Sequence, residues 1–349
     1  MKDLKYLLAY LAPLAAYLGI YHGGIWSPGS IYIGFVLIPA LELFHSGSKV
    51  NYSNEEESSR LSNQVFDWLL YLNIPLLFGL LPYYFTTIAG GGLTTLEITG
   101  MTFSVGLLVG TIGINVAHEL GHRNKKHEQW MSKLLLMTAL YMHFFIEHNR
   151  GHHKNVATEL DPASARYGES LYTFWIRSTV GSYLHAWKLE RERLAKQQIP
   201  SFSWQNEMVW YQLIQIGYLI GVGLLFGWAM VPYAIAVAIL GFLLLETVNY
   251  VEHYGLRREK LASGRYENVS PQHSWNSNHE LGRIFLYELT RHSDHHFKAN
   301  RKYQVLRHMD ISPQLPYGYP FSMLMSLIPP IWFAVMNKEV KRFQVASLA

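Results

Sequence analysis

The sequence predicts an all-α integral membrane protein with six transmembrane helices, and three observations lead there. Half of the 349 residues are hydrophobic, and only 15% are charged, against about 25% in ordinary soluble domains. Several apolar runs approach the ~20 residues that a bilayer crossing needs. Histidines gather at the ends of those runs, so a histidine-rich cap is expected on one side of the bundle.

The spans are expected at about 6–20, 26–43, 66–88, 98–116, 209–230 and 231–250. Lys2 and Lys5 precede the first, and only Tyr21-His-Gly-Gly-Ile separates it from the second, so the pair forms a hairpin. No small-residue cleavage site follows the first run within ordinary reach, so it reads as a retained membrane helix rather than a signal peptide. The polar run from Ser46 to Ser62, with Glu55, Glu56 and Glu57, reads as a solvated loop. The third span turns at Gly90-Gly91-Gly92 and returns through the fourth, where Gly106 and Gly110 form a G-x-x-x-G pair. Close helix packing and ordinary glycine tolerance in membrane helices explain that pair equally well. Pro232 divides the last two spans.

Leu134 to Phe145 is also apolar, but a helix of that length reaches only ~18 Å, short of the ~30 Å hydrocarbon core. If it spanned, the histidines before and after it would lie on opposite faces. It is therefore expected at the interface. All the histidine clusters then share one face with Lys2, Lys5, Arg123, Lys125 and Lys126, which the positive-inside rule makes cytoplasmic. Residues 117–205 and 251–315 form the cap. Pro316 to Trp332, interrupted by Pro320, Pro329 and Pro330, is expected to lie on the membrane surface. With no internal repeat or low-complexity linker, residues 1–349 read as a single domain.

The chain has no cysteine, which excludes disulfides, zinc ribbons, thiolate-ligated clusters and a cysteine nucleophile. A net charge of +4, with basic residues scattered among carboxylates, gives no reason to expect nucleic acid. Any metal must be held by nitrogen and oxygen. Nine of the 17 histidines sit in four places: His118-Glu-Leu-Gly-His122, His148-Asn-Arg-Gly-His152-His153, His253, and Arg291-His292-Ser-Asp-His295-His296. If the last segment is helical, His292 and His296 are i,i+4 neighbours and His295 is i,i+3 from His292, so one face can offer two or three imidazoles to a metal.

His118 continues the fourth span and His253 the sixth, so a metal bound by both lies at the mouth of the bundle. Nine imidazoles are too many for one tetrahedral zinc and suit two metals with four or five nitrogens each. Iron, copper and zinc all accept such ligands, with iron favoured where oxygen chemistry is wanted. Glu119, Glu147, Asp161, Glu246, Glu252 and Asp294 stand near the motifs and could accept the second imidazole N–H. The alternative for each is a solvated or helix-surface role, which fits Glu246 least because it lies deep in an apolar helix.

His118-Glu119-x-x-His122 also matches the H-E-x-x-H zinc-protease pattern, with the glutamate as general base, but that leaves most of the histidines idle. A metal transporter would place its ligands near the bilayer midplane, whereas these lie at helix ends. His22, His45, His127, His143, His185, His273, His279 and His308 are expected at the surface or in caps. Of these, His273 and His279 are the best candidates for a supporting shell or a partner surface.

At these motifs the sequence resembles the integral-membrane di-iron hydroxylases, in particular the alkane 1-monooxygenase family, with xylene monooxygenase as a near relative. The resemblance rests on His118-Glu-Leu-Gly-His122, Glu147-His-Asn-Arg-Gly-His-His153, Asp161-Pro-Ala-Ser-Ala, Asn249-Tyr-Val-Glu-His-Tyr-Gly255, His273-Ser-Trp-Asn-Ser-Asn-His279 and Arg291-His-Ser-Asp-His-His296. It runs from the fourth span to about Arg307; the first hundred residues match only in pattern.

The resemblance implies a cytoplasmic di-iron cap in which His118, His122, His148, His152, His153, His253, His292, His295 and His296 bind two non-haem irons. It further implies O2-dependent terminal hydroxylation of medium-chain n-alkanes, taken from the lipid phase, to 1-alkanols in a bacterial inner membrane. Without cysteine the chain has no built-in rubredoxin or iron–sulfur domain, so a separate electron carrier is expected on the cytoplasmic face. That carrier is rubredoxin, or a ferredoxin-type reductase if the enzyme is a xylene-type methyl-group monooxygenase. A fatty-acyl desaturase or lipid hydroxylase would use similar histidines on substrates with polar heads. A zinc metalloprotease and a metal transporter are the alternatives outside oxygen chemistry.

Overall fold

The computed structural model describes residues 2–45 and 47–347. Among these the regular structure is helical, apart from isolated bridges at Lys260–Tyr266 and Asn276–Gln314. Five helices are long and apolar enough to cross a membrane: Asp3–His22, Val65–Ala89, Thr95–Gly121, Glu207–Phe226 and Trp228–His253. They correspond to five of the six expected spans.

The exception is 26–43. Gly23 and Gly24 both take positive φ, a 3-10 turn follows at Gly24–Trp26, and the helix begins only at Gly29, behind Pro28. The apolar helix that results, Gly29–Glu42, is only about 21 Å long at 1.5 Å per residue. The count of six spans is therefore not confirmed, although the hairpin is present: Gly29 sits directly against the Ala15 carbonyl, with no room for a side chain.

One further expectation is corrected. Within the expected loop 46–62 the structure has a helix, Asn54–Ser62; Ser46 lies outside the described residues. Ser53 Oγ accepts from the Glu56 N–H at 3.2 Å while the Glu56 carboxylate accepts from the Ser53 N–H at 2.9 Å, a capping box that starts the helix. Glu55, Glu56 and Glu57 then lie in its first turn, where the helix dipole favours negative charge. The Pro316–Trp332 stretch holds one helix, Tyr319–Ser326, and the start of a second, Pro329–Ser347. Its prolines fall in first turns, where the missing N–H costs nothing, so they open helices rather than break one.

Thr95–Gly121 is the central helix, 78% buried where Glu207–Phe226 is 22%. It lies almost backbone to backbone against Trp228–His253. A Cβ on Gly106 would stand 2.6 Å from Leu240 Cβ, and one on Gly241 would stand 2.6 Å from Val109 Cγ1. Of the two readings of the G-x-x-x-G pair, close packing is what the structure shows. This contact sets the separation of the two helix ends that carry His118 and His253.

Replacing Gly106 by Leu is expected to wedge these helices apart and lower stability by about 1–3 kcal/mol, the usual cost of overpacking. Gly79→Leu is the control, because nothing lies within 4 Å of a Cβ there. Thermal unfolding in detergent should show a drop for the first variant only.

Candidate metal centre

Each histidine segment is aimed by its local helix geometry. In the central helix a π stretch, Val109–Asn115, gives way to a closing α segment, Val116–Gly121. His118 lies in that segment and His122 at its C-cap, one turn apart. Ser132 Oγ donates to the Ala117 carbonyl at 2.6 Å, and Asn115 Nδ2 donates to the Leu286 carbonyl at 3.0 Å, pinning this end.

The segment Phe144–Asn155 is α, then π over His148–His152, then α again. In an α-helix His148 and His152 would share a face. Here the His153 N–H bonds the His148 carbonyl, and the wider turn aligns His148 with His153 instead. Their Nε2 atoms are 3.0 Å apart, while His152 faces elsewhere. The short helix His292–Phe297 has ordinary α spacing: His292 and His296 pair at 2.8 Å between Nε2 atoms, and His295 points away from both. Arg291, fully buried, anchors this helix by donating to the carbonyls of Leu306 at 2.6 Å and Val50 at 3.0 Å.

All nine histidines converge, in two adjoining groups. His118, His122, His148, His153 and His295 form one; His152, His253, His292 and His296 form the other. Within each group the ligand atoms lie within 4.8 Å of one another. In the first, Nε2–Nε2 distances are 3.0 Å for His118–His295, 3.1 Å for His148–His122, 3.2 Å for His153–His122 and 3.1 Å for His295–His153. In the second they are 3.2 Å for His152–His296 and 3.3 Å for His292–His253.

Burial pushes the imidazole of His122 down to about 3, and those of His148, His153, His292, His295 and His296 well below the usual range. They are therefore neutral at neutral pH, each with one N–H and one lone pair. Five nitrogens facing one another cannot all be satisfied by hydrogen bonds, whereas a shared cation satisfies them together. The spacing also suits one, since bonds of about 2.1 Å give an octahedral edge of about 3.0 Å. The residues fit two metal ions.

Of the carboxylates expected behind the imidazoles, Asp161 is in place. Its Oδ2 accepts from His152 Nδ1 at 2.9 Å and from Ser164 Oγ at 2.6 Å. Burial opposes a charge on His152 too, yet the neighbouring Asp161 carboxylate moves its pKa up. Four of the others are engaged elsewhere. Glu119 accepts from Arg123 Nε at 2.9 Å and from the Tyr303 N–H at 3.2 Å. Glu147 accepts from His185 Nδ1 at 3.0 Å. Glu246 accepts from Tyr141 Oη at 2.7 Å and Ser178 Oγ at 2.5 Å. Asp294 takes the Arg307 backbone and guanidinium N–H groups, both at 2.9 Å. Each has a nearer cation, hydroxyl or outlying imidazole to satisfy it.

Three histidines expected at the surface are buried. His143 packs on Tyr141 and Tyr183, His273 accepts from the Ser270 N–H at 3.0 Å, and His308 meets Asn278 and Asp310. His185 belongs to no histidine motif, yet it is the partner of Glu147. Its only trace in the sequence is Gly151, where a Cβ would meet Glu147 Oε1 at 2.7 Å and the His185 ring at 2.8 Å.

Known proteins are similar to this chain over most of its length. A family model described as fatty acid desaturase matches residues 96–324. Alkane 1-monooxygenase 2 of Pseudomonas aeruginosa is 41% identical over 95% of this chain and 91% of its own. The chain belongs to the alkane 1-monooxygenase family. Alkane 1-monooxygenase 2 of Alcanivorax borkumensis, another member, is 37% identical over 100% of this chain and 93% of its own. The xylene/toluene monooxygenase hydroxylase component of Pseudomonas putida is more distant, at 29% over 98% and 90%. Family membership thus extends through the first hundred residues, beyond the reach of the histidine motifs.

Asp161→Asn keeps the turn but removes the charge that holds His152. Metal affinity is expected to fall 10- to 100-fold, as is usual when such a partner is lost, with unfolding temperature little changed. Chelator competition on the purified protein measures it.

Proposed function

We propose that the nine-histidine centre holds two iron ions and that the protein hydroxylates the terminal carbon of medium-chain n-alkanes to 1-alkanols. The observation that carries this is the convergence of nine imidazoles in two groups of five and four, in a chain similar to alkane 1-monooxygenases along its length. Bound there, iron supplies the O2 chemistry that side chains lack: R–CH3, O2, two electrons and two protons give R–CH2OH and water. The chain's own part is to hold the ligands, bring in the hydrocarbon and keep water out.

We place the hydrocarbon's approach at a narrow apolar cavity between the helices. Phe35, Ile112, Leu244, Val248 and Met323 line it, with Ile112 on the helix that leads to His118 and Leu244 and Val248 on the helix that leads to His253. Phe35, Leu244 and Met323 also line a groove that includes Ile31 and Leu324, a path from the lipid. With no polar group to recognise, the substrate would be selected by length and bulk.

Two electrons must come from outside, and with no cysteine in the chain a separate carrier is required. We assign that role to rubredoxin, docking on the cytoplasmic face of a bacterial inner membrane, with the side set by Lys5, Arg123, Lys125 and Lys126. A ferredoxin-type reductase belongs with the xylene-type alternative, which the more distant relative keeps open. The zinc-protease reading is disfavoured because Glu119, its general base, is neutralised by Arg123.

Purified, detergent-solubilised protein should contain about two irons per chain; one zinc with little iron would overturn the assignment. His295→Ala should abolish 1-alkanol formation from n-alkanes supplied with reduced rubredoxin, while the protein stays in the membrane. Product analysis by gas chromatography, run in parallel with xylenes, decides between the two substrates.

A further inference from the structure

Glu252 is a buried carboxylate that the roles above leave unused. It precedes His253 at the end of the Trp228–His253 helix and is 1% exposed. One oxygen accepts from Tyr319 Oη at 2.9 Å. The other, Oε2, lies 3.1 Å from His292 Nε2. Among the described residues no lysine or arginine pairs with it. Glu119, Asp294 and Glu288, equally buried, pair with Arg123, Arg307 and Arg283.

The side of the imidazole it faces decides its role. Asp161 meets His152 at Nδ1, behind the ring. Glu252 meets His292 at Nε2, the atom that also lies 2.8 Å from His296 Nε2 and 3.3 Å from His253 Nε2. A single N–H on that atom could not serve all three acceptors, and a proton there would remove His292 from any ligand set. A cation among the four nitrogens would serve them all and would supply the charge partner that Glu252 lacks.

Charge balance points the same way. Two divalent ions bring four positive charges into a largely buried site, and imidazole ligands bring no negative charge to offset them. Uncompensated charge in such surroundings is strongly unfavourable. Asp161 acts only through His152. Glu252 faces the group that has one nitrogen fewer.

We propose that the Glu252 carboxylate is a metal-facing anionic donor that completes the four-histidine group, with Tyr319 orienting it. This rests on the nine-histidine iron reading and adds a tenth side chain to it.

The test is iron stoichiometry and Mössbauer spectra of the full-length, 57Fe-loaded protein in detergent, comparing wild type with Glu252→Gln, Glu252→Asp, Tyr319→Phe and His292→Ala. Glu252→Gln keeps the shape and removes the charge. One of the two irons is expected to be held at least 10-fold more weakly against a chelator, with one quadrupole doublet altered and the other unchanged. Glu252→Asp should recover binding in part, and Tyr319→Phe should keep both irons while shifting that same doublet. Wild-type affinity and spectrum in Glu252→Gln would overturn the proposal. Should that variant not fold, Glu252→Asp decides alone, since an unchanged spectrum for a retracted carboxylate overturns it equally. Failure of the underlying reading looks different: wild type would not hold two irons, or His292→Ala would keep both.

Discussion

Nine imidazole nitrogens held about 3 Å from one another have no means of satisfying each other, and the fold must keep them there. Neutral rings brought together by Nε2 gain little from the encounter and lose their water. Holding them falls to contacts outside the cluster. The glycine-mediated contact between Thr95–Gly121 and Trp228–His253 fixes two of the four histidine segments from the membrane side. From the cap, buried Arg291 ties the His292–Phe297 helix to the carbonyls of Val50 and Leu306. Asp67 binds Arg123 at 3.0 Å and Lys302 at 3.1 Å, and Glu119 takes the Tyr303 N–H. Glu119, which by motif could have been a protease base, thus latches the end of the central helix to the chain beyond His296.

The convergence of the nine histidines is legible in the sequence because metal binding demands particular residue types at helical spacing, and little else would place nine histidines beside apolar runs. Five of the spans are legible for a similar reason: bilayer thickness sets a length that hydropathy reveals. The second span is not, because hydropathy is blind to the backbone. Gly23, Gly24 and Pro28 delay the helix although residues 26–43 are mostly apolar. The stretch 46–62 misleads in the opposite direction. Its glutamates have the composition of solvated charge, whereas behind Ser53 they are helix-starting residues.

Carboxylate roles are the least legible part. Glu119, Glu147, Glu246 and Asp294 each lie near a histidine in sequence, but the partners that claim the last three (His185, Tyr141, Arg307) are set by tertiary packing, and Glu119 is taken by Arg123 one turn further on. Proximity along the chain therefore selects Asp161 and four residues with other partners alike. The division of histidines into groups is hidden for a more local reason. An H-x3-H-H motif read on an α-helix pairs the first two histidines, and only the π turn at His148–His152 pairs the first with the third.

That division shows how the two groups are coupled. His118 and His122 serve only the five-membered group, and His253 only the four-membered one, so the membrane helices place each group without linking them. The segments 148–153 and 292–296 contribute to both. Their rings bridge the groups at centroid separations of 4.5 Å for His153–His296 and 5.5 Å for His292–His295. Helical geometry within two short segments, one π and one α, therefore sets the spacing between the groups, while the bilayer-spanning helices set their depth. The arrangement separates two demands on the fold. The helices are free to shape an apolar cavity, and the distance between the two histidine groups depends on backbone hydrogen bonds a few residues long.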